Sequence, residues 1–199
     1  DYERAVRQRN SLLKSRSQLS SLESWDQQVA AFGGEIIAAR VTTLNELIPI
    51  FTDVYKEISP EKRADITYKS SVENPSIIPS ENSARMIEKF KEIRNQEIDR
   101  GLTLLGPHRD DLLLMLGNHF VKGYASHGES WSIALSLKLA SYQLLQDDGA
   151  KPILILDDVF SELDEERRER LISLANSAEQ TFITVAVQSD LPPELTGKF

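Results

Sequence analysis

The sequence predicts a mixed α/β protein in two parts, a mostly helical arm over residues 1–100 and an α/β lobe over residues 101–199. Three observations carry this reading. Val41, Leu44, Leu47, Ile48, Phe51, Tyr55 and Ile58 recur at steps of three or four, the spacing of a helix that buries one face. After Gly101 the pattern changes to short apolar runs alternating with helical stretches, as in an α/β lobe. The run "PILIL" is continuously apolar, which is typical of a strand covered on both faces.

The elements follow in order. "YERAVRQRNSLLKSRSQLSSLES" sets Val6, Leu12, Leu13, Leu19 and Leu22 among charged and polar residues, so it predicts a partly exposed helix with a narrow apolar stripe. In the next helix a kink or break is expected at Gly33-Gly34 or at Pro49, and Pro60 stops it. "DITYKS" alternates polar and apolar residues, as a short strand does. "SVENPSIIPSENS" is a loop by composition. Ser80 is the candidate cap of a helix burying Met86, Ile87, Phe90 and Ile93, with Gly101 at its C-cap. "LTLL" and "LLLMLGNHFVKGY" read as strands, with Gly117-Asn118 as a hairpin turn. "ASHGES" opens a helix along Trp131 to Gln146, which ends at Asp147, Asp148 and Gly149. Asp164 is placed to cap "EERRERLISLAN", and "TFITVAV" is a further buried strand.

The 199 residues are 40% hydrophobic and 27% charged, enough for a real core in one or two domains. There is no cysteine, which excludes disulfides and thiolate metal sites. His108, His119 and His127 are scattered, so no zinc site is expected. No apolar run approaches the roughly 20 residues of a membrane span. Without a signal peptide the expected location is cytoplasmic. A net charge of -8 argues against nucleic-acid binding through bulk charge. Local contact would fall to Arg4, Arg7, Arg9, Lys14 and Arg16 on the first helix, although a solvated face is the commoner fate of such charges. The chain opens at Asp1 on a helical pattern, without a methionine, and reads as a piece of something longer.

Two motifs carry chemistry. In an α/β sheet, ligands bind beyond the carboxyl ends of the strands, and "PILIL" ends in Asp157 and Asp158. A carboxylate there suits Mg²⁺, which wants oxygen ligands and keeps much of its water. A neighbouring carboxylate can orient or deprotonate an attacking water. The plain alternative is a pair of solvated turn aspartates. The turn Ser126-His127-Gly128-Glu129 begins a helix, where N–H groups and about half a unit of positive charge favour a phosphate. Its plain alternative is an ordinary N-cap.

The order of these motifs resembles the second half of an ABC-type ATPase head of the SMC-like group. "TLLGPHRDDL", "YASHGES", "ILILDDVFSELDEERRERL" and "YERAVRQRNSLLK" together are similar to the RecF family of bacterial DNA replication and repair proteins. The resemblance spans essentially the whole chain. It implies that Asp157 is the Walker B carboxylate acting on Mg²⁺ and that Asp158 stands for the catalytic acid beside it. Ser126, Gly128 and Glu129 become the signature motif, which contacts the γ-phosphate of ATP held by the partner subunit. Ser161, Glu162, Leu163 and Asp164 become the D-loop. Gln188 and Ser189 stand where many ABC proteins place a switch histidine. His108 and Arg109 in "GPHRDD" are candidates for phosphate or interface contact, with Asp110 and Asp111 holding Arg109.

The resemblance further implies an ATP-dependent homodimer that holds DNA at single-strand gaps and aids RecA loading with RecO and RecR, in DNA damage repair, recombination and the SOS response. A phosphate-binding G-x-x-x-x-G-K-[ST] loop is absent from the 199 residues. Family order places it before Asp1, so the isolated chain is expected not to turn over ATP. Two other readings remain at this stage. One is a stand-alone Mg²⁺-dependent phosphotransfer or nuclease domain using Asp157, Asp158, Asp110 and Asp111. The other is a non-catalytic partner-binding module.

Overall fold

Helix α1 runs from Tyr2 to Ser15 and buries Tyr2, Ala5, Val6, Arg9 and Leu13 along one stripe. It stops earlier than the sequence suggests. Arg16 turns left-handed (φ 52°) and its N–H returns to the Leu12 carbonyl. A short 3-10 turn, Leu19–Ser21, leads into α2, Leu22–Ile58. The computed structural model describes residues 1–16, 19–147, 149, 152–160, 165–186 and 195.

The expected break in α2 does not occur: the helix is continuous through Gly33, Gly34 and Pro49. A proline inside a helix costs about 3 kcal/mol in isolation. Phe51 and Tyr55, just beyond it, are fully buried, and burial of such a face outweighs local propensity. The glycines have a packing role instead. A Cβ on Gly34 would lie 2.5 Å from the Pro79 carbonyl oxygen and 3.0 Å from the Ser83 nitrogen, both backbone atoms of α3 (Pro79–Glu92). A Cβ on Gly33 would meet only the flexible end of Met86, at 2.8 Å, and Pro107, at 3.3 Å. Gly34→Ala is therefore expected to destabilise by about 1–3 kcal/mol through overpacking. Gly33→Ala should stay within about 1 kcal/mol of the parent, since helix propensity offsets the shift of Met86. Chemical denaturation of the two variants side by side checks this.

Strand β1 is Ala64–Lys69. The next helical stretch differs from expectation at both its start and its middle. Ile78, not Ser80, is the N-cap, with Pro79 in the first turn, where its missing N–H costs nothing. Ile93 then separates α3 from α4, Arg94–Arg100. Gly101 closes α4 left-handed at φ 63°, the C-cap role read from sequence.

"LTLL" is not a strand. The Thr103 N–H donates to Asn10 Oδ1 at 2.6 Å and the Leu104 N–H to Glu97 Oε1 at 2.8 Å. Side chains have taken donors that a ladder would need. Strands β2, Asp111–Leu116, and β3, His119–Phe120, form the expected hairpin, antiparallel with Leu116 opposite His119. Gly117 sits in its turn at φ 58°. The sheet order is β1-β2-β3.

Helix α5 is His127–Asp147 and α6 is Glu165–Ser177. Strands β4, Leu154–Asp157, and β5, Thr181–Thr184, pair in parallel with Asp157 opposite Thr184. Their burial corrects the expectation of coverage on both faces. Leu154 and Leu156 pack with Leu135 and Leu139 of α5 and Leu171 and Ile172 of α6. On the other face Ile155 is 68% exposed and Phe182 52%. Among the described residues, helices cover one side only.

The chain divides into two compact units with alternating segments. The first is Asp1–Asn45 with Thr67–Leu113, and the second is Glu46–Ile66 with Leu114–Phe199. Helix α2 and strands β1 and β2 each contribute to both. The first unit's core gathers Val6, Val29, Ile37, Met86 and Phe90. The second holds the cluster around β4 and another of Phe51, Tyr55, Ile66, Leu116, Ile133 and Ala140. No helix among the described residues is long and apolar enough to cross a membrane.

Candidate functional site

The turn at Ser126 is a reciprocal cap. The Ser126 N–H donates to Glu129 Oε2 at 2.8 Å, and the Glu129 N–H donates to Ser126 Oγ at 3.3 Å. This is the Ser-x-x-Glu capping box, and it satisfies two donors at the start of α5. Ser126 Oγ serves the cap as an acceptor and keeps a hydrogen of its own to donate. Ser126, His127 and Gly128 are exposed. The other oxygen of Glu129, Oε1, accepts from Lys62 Nζ at 2.6 Å. Lys62 first, then the Ser126 groups, pull the Glu129 carboxyl down to about 2. A depressed carboxyl stabilises the fold above the ordinary carboxylate range, and that contribution is lost as pH falls toward 2.

The acidic strand tip is built by β5. The Thr184 hydroxyl donates to Asp157 Oδ1 in a short hydrogen bond. The Asp158 N–H reaches the Thr184 carbonyl at 3.1 Å and Thr184 Oγ1 at 3.2 Å. Asp158 is left-handed, φ 50°, a conformation that Asp and Asn tolerate better than most residues. Both aspartates are exposed. Among the described residues no group of three or more His, Asp or Glu could hold a metal ion. One exposed carboxylate at a strand end does fit Mg²⁺ that arrives with phosphates and keeps most of its water.

The "GPHRDD" segment belongs to the first unit and is occupied by internal contacts. Tyr2 Oη lies 2.7 Å from His108 Nδ1, and burial lowers the His108 pKa. Arg109 donates through Nε and Nη2 to the Thr103 carbonyl, at 3.2 and 3.0 Å, rather than to Asp110 or Asp111. Asp110 accepts from the Tyr68 hydroxyl and, at 2.7 Å, from the Ser71 N–H, with Arg40 at 3.5 Å. Burial first, then that bond to Asp110, pushes Tyr68 up to about 12. Asp111 accepts from the Leu112 N–H. Of the basic residues on α1, Arg9 is fully buried and so unavailable to a nucleic acid. Arg7 and Arg16 lie near Glu3 and Asp99, at 3.6 and 3.7 Å.

The structure thus joins Ser126, Gly128 and Glu129 on one turn, and Asp157 with Asp158 on one strand end, both in the second unit. His108 and Arg109 lie in the other unit. Ser161, Glu162, Leu163, Asp164, Gln188 and Ser189 lie outside the described residues. Sequence reasoning missed Thr184 and Lys62. Thr184 left a faint signal, a hydroxyl in an otherwise apolar run, but its pairing opposite Asp157 needs the register. Lys62 left none.

No family model matches the chain. A curated relative does. It is "DNA replication and repair protein RecF" of Beutenbergia cavernae, 44% identical over 231 aligned positions that cover 99% of this chain. Over nearly its whole length the chain is similar to that RecF. It spans 58% of that RecF's length. Two solved structures agree. One is the recombination mediator protein RecF with ATP, in the RecFOR pathway, with a TM-score of 0.81 and 26% identity. It covers 94% of this chain and 52% of that one. The other, described as RecF-ATPrS, gives 0.83 and 26%, over 99% of this chain and 53% of that one. The chain therefore has the mixed helix-and-sheet fold of those RecF structures. The signature-like turn and the acidic strand tip are its candidate site.

Proposed function

We propose that this chain supplies the arm and one half of the head of a DNA replication, repair and recombination protein that binds ATP and dimerises head to head. In that reading the nucleotide-bound dimer holds DNA at single-strand gaps and works with RecO and RecR in the cytoplasm. The observation that carries it is a pair of exposed features within one compact unit: a capped turn carrying Ser126, and an acidic strand tip where Thr184 holds the Asp157 carboxylate and the Asp158 N–H. The 44% likeness to the Beutenbergia RecF supports the repair role, and the likeness to a RecF structure with ATP supports the nucleotide.

The roles proposed are those that the family resemblance implies. Asp157 offers its exposed carboxylate to Mg²⁺, with Thr184 fixing the rotamer. Bound Mg²⁺ supplies charge neutralisation on the phosphates of ATP. Asp158 orients an attacking water. Ser126 and Gly128 present the positive end of α5 to the γ-phosphate of the opposite head. The resemblance gives Ser161 to Asp164 the role of D-loop, Gln188 and Ser189 the switch position, and His108 and Arg109 a phosphate or interface contact.

Gly128→Asp tests this in the full-length protein. An acidic residue suits the first turn of a helix, so α5 should form normally. The new carboxylate repels an incoming phosphate. Light scattering should show ATP-dependent dimers with the parent and none with Gly128→Asp. Equal dimerisation by the two would refute the reading.

A further inference from the structure

Lys62 lies in the short connection between α2 and β1, far in sequence from the turn that it touches. Its Nζ sits 2.6 Å from Glu129 Oε1 and 5.5 Å from the ring centroid of Tyr124. That ring stacks on His119 at 4.2 Å, with 21° between the planes. All four residues belong to the second unit.

Two features make this more than a surface pair. The first is the division of labour on Glu129. Oε2 caps the Ser126 N–H and Oε1 takes the lysine, so both oxygens are engaged and the carboxylate is fixed in one plane. A carboxylate tied by a single oxygen keeps a broad terminal torsion, and the cap loosens with it. The second is the sign of the charge. A cation near a helix N-terminus opposes the macrodipole and weakens that helix. Lys62 is nonetheless held there, where it adds positive potential beside the exposed Ser126 and Gly128.

We propose that Lys62 is a positioning residue for the Ser126 turn: it clamps Glu129 across the Ser126 amide and keeps the turn preformed for a phosphate brought by a second head. This rests on the phosphate-contacting role proposed above for Ser126 and Gly128. It also gives the α2–β1 connection a direct grip on that turn. The bond is a charge-assisted one, of the stronger class.

The test uses the full-length protein with Lys62→Met, Lys62→Arg and Gly128→Asp. Three quantities are read: the ATP concentration for half-maximal dimerisation, nucleotide affinity at concentrations where only monomer exists, and amide exchange at Ser126 and Glu129. Lys62→Met should raise the half-point up to about fivefold, the range for an exposed ion pair. It should speed exchange at both amides and leave monomer affinity unchanged. Lys62→Arg should restore the parent half-point, because a guanidinium can keep the contact. An unchanged half-point for Lys62→Met, with dimerisation blocked by Gly128→Asp, overturns the positioning role alone. A loss of monomer affinity equal to the loss of dimerisation also overturns it, since that marks general damage to the fold. Normal dimerisation by Gly128→Asp removes the phosphate reading and this inference with it.

Discussion

Arg9→Ala is expected to destabilise the first unit by about 3–5 kcal/mol, the cost of stripping one partner from a buried ion pair. Each guanidinium nitrogen has its own acceptor. Nε donates to Asp26 at 2.8 Å, Nη1 to Thr103 Oγ1 at 2.9 Å and Nη2 to Glu97 at 2.5 Å. The guanidinium carbon also lies 4.1 Å from the centroid of the Phe90 ring. Arg9 and Glu97 are both fully buried. Asp26 keeps Arg94 if Arg9 goes, so most of the cost falls on Glu97.

Arg9→Lys should be intermediate, since one ammonium cannot replace a fork that reaches three acceptors. Arg9→Met with Glu97→Gln should lie closer to the parent than Arg9→Ala, because no charge is then left buried alone. Chemical denaturation followed by Trp25 fluorescence, in a Trp131→Phe background, reports the first unit selectively. A cost under about 1 kcal/mol for Arg9→Ala would show that these charges are not desolvated in the way their burial implies.

Arg9 also marks where legibility ended. The helical period was plain, and positions 2, 5, 6, 9 and 13 are the buried stripe of α1. An arginine on that stripe nonetheless reads as a surface charge, because its carboxylates are 17 and 88 residues away. Local features did better. Gly101 and Gly117 stand where positive φ was needed, at 63° and 58°, and both were readable as punctuation. The Ser126 to Glu129 cap was legible as a pattern, since its partners are three residues apart. Its clamp was not, for Lys62 is 67 residues distant. Pro49 and the two glycines misled for the same reason. Propensity speaks for one segment at a time, whereas α2 is held by what packs on it. The strand tip showed its carboxylates but hid Thr184, which only the parallel register sets opposite Asp157.

Asp158→Asn is expected to lower ATP turnover of the full-length protein by about 10²–10⁴-fold, the range for losing a general base. The substitution preserves the local backbone. Asn accepts the left-handed φ of 50° as readily as Asp, and the backbone bonds to Thr184 do not involve the carboxylate. Nucleotide-driven dimerisation should therefore survive. Asp157→Asn differs in kind. Its amide oxygen can still accept from Thr184, but the charge proposed to face Mg²⁺ is gone, so dimerisation and turnover should fall together. Single-turnover hydrolysis beside a dimerisation assay separates the two. Turnover within a few-fold of the parent for Asp158→Asn would move the base to another residue. Dimerisation lost equally in both variants would mean that the pair acts only through the metal, with no division of roles between the two carboxylates.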